Sequence, residues 1–292
     1  RRIGSPKHLL APMVDASELA FRMLCRRYGA HLCYTPMTSS KRFCVDPNFR
    51  IRNTQSAPPG TDEPLIYQFA GDDPVRLLAA ATYVQDHCGA DAVDINLGCP
   101  QNIAKRGHYG AFLLEEVELI ERLVATLDAG LRIPVTVKVR LLNTLDDSIM
   151  LCKRLVAAGA QMVVVHGRVK EALKDLVGEA DWHAIRAIRE ALPVPVFANG
   201  NIACLDDVKR CMAETGCAGV MSSEGILENP GLFSDNVSMV TGRKSDLIDL
   251  CEEYLEIAEE HQPPSVGTSR SHAMKMLFTG LAHYTDLRHR LS

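Results

Sequence analysis

The chain has 292 residues, of which 47% are hydrophobic and 23% are charged, so it can bury a large core. Its formal net charge of −4 excludes a globally basic nucleic-acid binder, and any contact with RNA has to come from a local basic patch. The ten cysteines include no C-x-x-C pair, and we expect reduced thiols in a cytoplasmic protein, with the nucleus as the alternative compartment. No apolar run reaches the length of a membrane span, so we expect no membrane partner.

Short apolar, β-branched segments recur along the chain, and helically spaced stretches separate most of them. The predicted strands are His8–Met13, Leu32–Met37, Leu65–Ala70, Ala92–Gly98, Pro134–Val139, Met162–Gly167, Pro195–Gly200 and Gly219–Ser223. The predicted helices are Ser17–Arg27, Pro74–His87, Glu115–Leu127, Leu145–Ala158, Trp182–Leu192 and Asp206–Thr215. This alternation predicts an α/β fold, a closed (β/α)₈ TIM barrel. A doubly wound open sheet is the alternative, but the chain has neither a G-x-G-x-x-G sequence nor a Walker loop.

The pattern changes near Asn236, where two predicted helices, Asp246–Glu260 and Ser271–Leu291, follow the barrel. We therefore expect a barrel domain at 1–235 and a small C-terminal helical domain at 236–292, which we interpret as a fragment that continues beyond this chain. From residue 261 onward four cations stand against one acid, a formal charge of +3: Arg270, Lys275, Arg288 and Arg290 against Asp286. The cations predict a local RNA-binding patch, with an ordinary solvated helix face as the alternative.

Polar residues occur at the carboxyl ends of several predicted strands, where barrel enzymes place their active sites. They are Gln68, Asp94, Asn96, Lys138, His166 and Asn199. The interior of a buried parallel strand should be nearly all apolar, so these residues need a reason to be there. In Val135–Val139 the valines share one face, and period-two alternation places Lys138 toward the barrel axis. We interpret the set as a shared polar pocket rather than as separate hydrogen-bonded core residues.

The last two predicted strands end in glycine-containing turns, Asn199-Gly200-Asn201 and Ser222-Ser223-Glu224-Gly225. Turns at the ends of strands seven and eight form the usual phosphate site of the barrel, because backbone N–H groups converge there. The turns therefore predict a ligand that carries a phosphate.

A cysteine follows the fourth predicted strand in the segment Asn96-Leu97-Gly98-Cys99-Pro100-Gln101. Glycine and proline fix the course of this loop and direct the Cys99 thiol to the mouth of the pocket. A thiol at this position can act as a nucleophile or, when protonated, as a general acid. The chain shows no Ser-His-Asp order and no metal-spaced set of His and Cys, so we expect no bound metal.

Several motifs, in order and spacing, resemble those of the tRNA-dihydrouridine synthases, flavoenzymes that saturate the C5–C6 bond of uridine in tRNA. They are Ala11-Pro12-Met13, Gln68-Phe69-Ala70, Asp94–Pro100, Val137-Lys138-Val139-Arg140, Val165-His166-Gly167-Arg168 and Asn199-Gly200-Asn201-Ile202. Two further segments, Lys105–Leu113 and Leu32–Met37, are similar to the eukaryotic branch that acts on D-loop uridines of the 16/17 class.

The resemblance implies a reaction in which NADPH reduces FMN, the flavin N5 delivers hydride to uracil C6, and Cys99 protonates C5. The residues implied to hold FMN are Pro12, Met13, Gln68, Lys138, His166, Asn199, Gly200, Asn201, Ser223, Glu224 and Gly225. Those implied to contact the tRNA substrate are Asn96, Lys105, Arg106, Arg140, Arg168, Lys170, Arg270, Lys275, Arg288 and Arg290. We expect a monomer.

One residue departs from the family pattern, because many relatives carry an arginine where this chain has Glu224. We expect this acid to point away from the phosphate. Two alternative functions stay open: a tRNA-binding barrel without catalytic activity, and a small-molecule flavoenzyme that resembles the dihydroorotate dehydrogenases.

Overall fold

The computed structural model describes residues 3–55, 57–172, 178–235 and 244–291. Its strands are β1 (His8–Leu10), β2 (Leu32–Tyr34), β3 (Thr38–Ser39), β4 (Leu65–Ala70), β5 (Ala92–Leu97), β6 (Val135–Leu141), β7 (Met162–Val169), β8 (Val196–Asn199) and β9 (Gly219–Ser222). All pairings are parallel, and they run β1–β2–β4–β5–β6–β7–β8–β9 and back to β1. The predicted (β/α)₈ barrel is therefore confirmed, with β3 as a short addition to β4.

Helices surround the sheet and continue beyond it. They are α1 (Leu19–Arg27), α2 (Ser40–Val45), α3 (Pro47–Arg52), α4 (Pro74–His87), α5 (Asn102–Gly107), α6 (Val117–Gly130), α7 (Leu145–Ala157), α8 (Trp182–Ala191), α9 (Leu205–Thr215), α10 (Glu224–Glu228), α11 (Lys244–Glu260), α12 (Val266–Met276), α13 (Phe278–His283) and α14 (Thr285–Leu291), with a 3₁₀ turn at Gly110–Glu115. None of the helices in the described ranges is long and apolar enough to cross a membrane.

The core has two parts, which follow from strand alternation. The outward faces of the strands pack against the helices, and Val135, Val137 and Val139 belong to this larger cluster. The inward faces fill the barrel with a second cluster that includes Leu9, Tyr34 and Phe197. Alternation then turns Thr136 and Lys138 toward the axis, as the sequence predicts.

The prediction of a single helix at Ser271–Leu291 is wrong. The segment contains α12, α13 and α14, and α12 begins earlier because the Ser265 hydroxyl accepts a hydrogen bond from the backbone N–H of Thr268. The chain leaves the helical conformation at Tyr284, where ψ is 74°. The boundary proposed at residue 236 lies outside the described residues, which resume at Lys244.

Candidate active site at the carboxyl rim of the barrel

Polar side chains replace apolar ones at the carboxyl end of the barrel interior. The residues are Gln68, Asp94, Asn96, Thr136, Lys138, His166 and Asn199. The strand register sets Gln68 beside Asp94, Asn96 beside Lys138, and His166 beside Asn199. Residues that neighbour each other across parallel strands share a face, so the predicted polar rim is one contiguous surface above the apolar filling of the barrel.

Four of these side chains form a hydrogen-bonded chain across three strands. The Thr136 hydroxyl donates to Asp94 Oδ1 at 2.6 Å, and Gln68 Nε2 donates to Asp94 Oδ2 at 2.8 Å. Asn96 Nδ2 then donates to Gln68 Oε1 at 3.0 Å. Burial raises the pKa of the Asp94 carboxyl to about 6, although both hydrogen bonds oppose that rise.

The Cys99 loop is held on both of its sides. The Gly98 and Cys99 backbone N–H groups donate to Asn96 Oδ1 at 3.2 and 3.0 Å, and Arg140 Nε donates to the Gly98 carbonyl at 3.0 Å. The Cys99 carbonyl accepts from the backbone N–H of Ala111 at 3.0 Å. A Cβ at Gly110, where φ is 71°, would lie 2.5 Å from that carbonyl oxygen, so only glycine permits this approach. These contacts fix the backbone of the loop that carries the half-buried Cys99.

Positive charge gathers around the pocket. Burial lowers the pKa of Lys138 to about 8, and the nearby Arg140 acts in the same direction. Burial also lowers the pKa of His166, to about 2, with Lys138, Arg140 and Arg168 acting in the same direction. His166 is thus a neutral imidazole, and its Nε2 accepts a hydrogen bond from Arg168 at 3.0 Å. Among the described residues, Lys138, Arg140 and Arg168 form no ion pair with a carboxylate, which makes the pocket a candidate site for an anion.

Arg168 joins this pocket to the turn after β8. Its guanidinium donates to the side-chain oxygen of Asn201 and, through Nε, to the Gly178 carbonyl at 2.7 Å. Gly200 has φ of 108°, and a Cβ there would lie 2.7 Å from Ala180 Cβ and 3.1 Å from His166 Cδ2. The turn therefore requires glycine and packs directly against the side chains of Ala180 and His166.

Glu224 begins α10 next to this turn, and its side chain is exposed. Burial lowers the pKa of Arg168. The charge of Glu224 acts in the opposite direction but has the smaller effect. The charge of Glu224 therefore acts on Arg168 through space. Gly225 packs closely on the preceding turn, because a Cβ there would meet the Ile202 carbonyl oxygen at 2.5 Å.

The remaining predicted flavin-binding residues flank the same rim. Pro12 and Met13 follow β1, which is tied to β9 by a 3.0 Å hydrogen bond from the Ala11 backbone N–H to the Ser222 carbonyl. Ser223 is the N-cap of α10. The Asn199 amide links β8 to β9, because Nδ2 donates to the Met221 carbonyl at 2.9 Å.

Of the predicted substrate residues, Asn96, Arg140 and Arg168 belong to the polar cluster described above, and the other seven divide into two groups. Lys105, Arg106 and Lys170 lie on or beside the rim, and Lys170 forms an ion pair with Glu115. Arg270, Lys275, Arg288 and Arg290 lie on α12 and α14, in the helical region that packs on the barrel through α1 and α10. The structure thus gathers the first group with Cys99 and places the second on a neighbouring surface.

A buried cluster that the sequence does not reveal joins the barrel to the helical region. Glu18 accepts hydrogen bonds from His272 Nε2 at 3.0 Å and from the Tyr254 hydroxyl at 2.9 Å, and Phe21 stacks on His272 with ring centroids 4.2 Å apart. Because 254 residues separate Glu18 from His272, no local pattern could have indicated the pair.

Cations on α2 and α3 form a further group that the sequence patterns did not single out. Lys41, Arg42 and Arg52 are exposed, and Arg50 stacks on the Tyr83 ring at 4.8 Å. These helices follow β3, which pairs with the carboxyl end of β4. The chain enters α2 on the Cys99 side of the barrel and then runs along α4, because Arg50 lies over Tyr83 in the C-terminal half of that helix. The run of basic residues at 41–52 was the signal available in the sequence.

A groove of about 350 Å³ lies beside the rim, with Leu114, Leu141 and Met150 among its lining residues. Both cations that line it are paired: Lys170 contacts Glu115, and Arg154 contacts Glu121 at 2.6 Å. The polar cluster at the barrel axis, whose cations form no ion pair with a carboxylate among the described residues, is therefore the stronger candidate site.

Fold and site together define a parallel (β/α)₈ barrel with a cationic pocket at its carboxyl rim. The family model described as "Dihydrouridine synthase (Dus)" matches residues 9–291. The chain is 46% identical over 292 residues to a mouse "tRNA-dihydrouridine(16/17) synthase [NAD(P)(+)]-like" protein, covering all of this chain and 59% of the relative. It is 44% identical to the Saccharomyces cerevisiae "tRNA-dihydrouridine(16/17) synthase [NAD(P)(+)]", covering all of this chain and 70% of the relative.

Solved structures support the fold alone. 2-Naphthoyl-CoA reductase superposes with a TM-score of 0.63 at 10% identity, covering 78% of this chain and 49% of that chain. Histamine dehydrogenase from Rhizobium sp. 4-9 superposes with a TM-score of 0.59 at 11% identity, covering 88% of this chain and 51% of that chain.

The chain belongs to the dihydrouridine synthase family, as its sequence motifs indicate. It spans 59% of the mouse relative's length and 64% of the rat relative's.

Proposed function

We propose that this protein reduces uridine to 5,6-dihydrouridine in the D-loop of tRNA, in the 16/17 class, with FMN as cofactor and NADPH as reductant. The observation that carries the proposal is the ordered Cys99 thiol at the mouth of a cationic pocket, in a chain whose relatives at 44–46% identity are named tRNA-dihydrouridine(16/17) synthases. In this proposal the barrel at 1–235 holds the flavin, and the region at 236–292 contacts the tRNA.

The residues present fit a flavin mononucleotide. A phosphate dianion requires positive charge and backbone donors, and Arg168 lies beside the Gly200 turn with its guanidinium on Asn201. We propose that Arg168 supplies the cation that many relatives place at the position of Glu224. The isoalloxazine ring would lie over Lys138 and His166, with Gln68 and Asn96 at its edge and the loops around Pro12, Met13, Ser223 and Gly225 enclosing the remainder.

Bound and reduced, the flavin supplies the hydride that C6 of the uracil receives. Cys99 holds the proton for C5, and the hydrogen bonds on both sides of its peptide keep the thiol in place. The Lys138 ammonium stabilises negative charge that develops on nearby oxygen and nitrogen atoms. His166, a neutral imidazole, can donate only through Nδ1, because Arg168 occupies Nε2.

Lys138 makes flavin binding depend on pH. Its pKa of about 8 means that the ammonium is present below this pH and lost above it. We expect FMN affinity to fall about tenfold between pH 7 and pH 9, because a hydrogen bond from a charged donor is lost. In Lys138→Met, affinity at pH 7 should be lower and this pH dependence should disappear. Fluorescence titration of flavin-depleted protein measures the FMN affinity and its pH dependence. If the FMN affinity of the parent protein does not change between pH 7 and pH 9, Lys138 does not contact the flavin.

RNA binding requires cations that face the substrate. Reversing the charges of Lys105 and Arg106 together should reduce the slope of log K against log salt by about 2, roughly one unit for each phosphate that is no longer neutralised. Arg122→Glu with Lys153→Glu is a matched control, because both residues lie on the outer helices α6 and α7. Filter binding of unmodified tRNA over a range of salt concentrations measures the slopes. Equal slopes for the two double variants would exclude Lys105 and Arg106 from the RNA surface.

The proposed reaction is tested by coupled oxidation of NADPH. Protein reconstituted with FMN should consume NADPH under anaerobic conditions in proportion to added unmodified tRNA, and free uridine should not replace the tRNA. Protein that binds no flavin, or that turns over a free pyrimidine as readily as tRNA, would contradict the proposal.

A further inference from the structure

We propose that Asp94 is a positioning residue for Cys99, because it fixes the direction of the hydrogen-bond chain that ends on the catalytic loop. The inference rests on the proposed function only where it concerns turnover. The chain runs from Asp94 through Gln68 and Asn96 to the backbone N–H groups of Gly98 and Cys99, with donor–acceptor distances of 2.8, 3.0, 3.2 and 3.0 Å.

The two ends of the chain have opposite chemistry. An ionised carboxylate can only accept hydrogen bonds, whereas backbone N–H groups can only donate. Each of the two carboxamides between them has one accepting oxygen and one donating nitrogen, so the chain is satisfied in a single orientation. Gln68 must turn its nitrogen to Asp94, and Asn96 must turn its oxygen to the loop.

Because these side chains are buried, they cannot easily adopt another orientation. Gln68, Asp94 and Thr136 are 0% exposed and Asn96 is 9% exposed, so water cannot readily replace a lost partner. If position 94 no longer accepts, Gln68 Nε2 loses its partner and Gln68 is free to rotate. Asn96 Nδ2 then loses its fixed acceptor, so the Asn96 side chain holds the Gly98 and Cys99 N–H groups less firmly.

The opposite side of the loop does not depend on Asp94. Arg140 holds the Gly98 carbonyl, and the Ala111 N–H holds the Cys99 carbonyl. Loss of the Asp94 chain should therefore loosen the N–H side of the loop without unfolding the segment. The Thr136 hydroxyl donates to the other oxygen of Asp94, so it supports the carboxylate without determining the direction of the amides.

Alkylation of individual cysteines by iodoacetamide, followed by peptide mass spectrometry, tests the inference in the purified chain. In Asp94→Ala the rate at Cys99 should rise about tenfold, the factor expected when roughly one buried hydrogen bond no longer holds the loop. Cys204, a half-buried thiol at the start of α9, is the internal reference and should change less than about twofold.

Conservative variants separate positioning from a general loss of stability. Asp94→Asn keeps an acceptor for Gln68 and can turn its nitrogen to Thr136, so the Cys99 rate should stay within about twofold of the parent. Thr136→Val should lower the melting temperature with little change at Cys99. Rates at Cys99 that follow melting temperature across all three variants would overturn the proposal, as would an unchanged rate in a folded Asp94→Ala protein.

Two further measurements complete the test. If Asp94→Ala does not fold, Asn96→Ala breaks the last link of the chain, and its Cys99 rate should rise by about tenfold or more, since it removes the acceptor of the Gly98 and Cys99 N–H groups. In turnover, Asp94→Ala should lower kcat with little effect on KM for tRNA, and Asp94→Asn should restore kcat. A parent protein without turnover would count against the proposed function alone, because the alkylation rates do not depend on it.

Discussion

Replacing Cys99 with alanine should lower dihydrouridine formation by about 10²–10⁴-fold, the usual contribution of a positioned general acid. The thiol is held at the pocket mouth by hydrogen bonds to its own peptide rather than to its sulfur, so the loop should keep its course when the sulfur is removed. Flavin content and tRNA affinity should therefore stay at the parental level. Single-turnover reaction of the pre-reduced protein with unmodified tRNA isolates the chemical step.

Cys204→Ala is the matched control for this prediction. Cys204 is also half-buried and lies beyond strand β8, where it caps α9 and contacts Asp207. Its replacement should leave turnover close to the parental rate. Full activity in Cys99→Ala would show that another donor protonates C5.

Replacing His272 with leucine should lower the free energy of unfolding by about 3 kcal/mol, because the buried Glu18 carboxylate loses one of its hydrogen-bond donors. Glu18 and His272 are 2% and 1% exposed, and after the change Tyr254 would be the remaining side chain that hydrogen-bonds the carboxylate. The loss should appear where the helical region meets the barrel. Hydrogen exchange should accelerate in Val266–Met276 and stay slow in Val135–Leu141.

The same pair should make this junction sensitive to acid. Burial tends to raise the pKa of Glu18, but the interaction with His272 and the hydrogen bonds from the Tyr254 hydroxyl and the backbone together lower it below its ordinary value of 4.5. A carboxyl with a depressed pKa in the folded state stabilises that state above its ordinary pKa, and the stabilisation is lost as pH falls through the depressed value. Hydrogen exchange in α12 should therefore accelerate below about pH 4.5. In Glu18→Gln this acceleration at low pH should be absent. Uniform acceleration throughout the chain would indicate global unfolding instead.

Alternation within the strands predicted most of the barrel and its rim. The valines of Val135–Val139 pack outward, and period two then sends Lys138 inward without further information. Strand ends were less accurate: β1 stops at Leu10 and β2 at Tyr34, three residues earlier than predicted in each case. Pro12 and Pro36 follow these ends and have no N–H to donate to a ladder.

Short helices and long-range pairs make up most of what the sequence patterns did not predict. α3 begins where Asp46 accepts from the Phe49 N–H and Pro47 occupies the first turn, a start signal that could have been recognised. The direction of the Asp94 chain and the placement of Arg168 on Asn201 depend on contacts across strands, which a pattern along one strand does not contain.

Nucleotide-resolution mapping of dihydrouridine tests the central claim most directly. Unmodified tRNA incubated with FMN-loaded protein and NADPH should gain dihydrouridine at positions 16 or 17 of the D-loop, and the Cys99→Ala protein should leave the same tRNA unmodified. Modification confined to other positions would contradict the 16/17 assignment. A complete absence of dihydrouridine with flavin-loaded parent protein would contradict the proposed reaction itself.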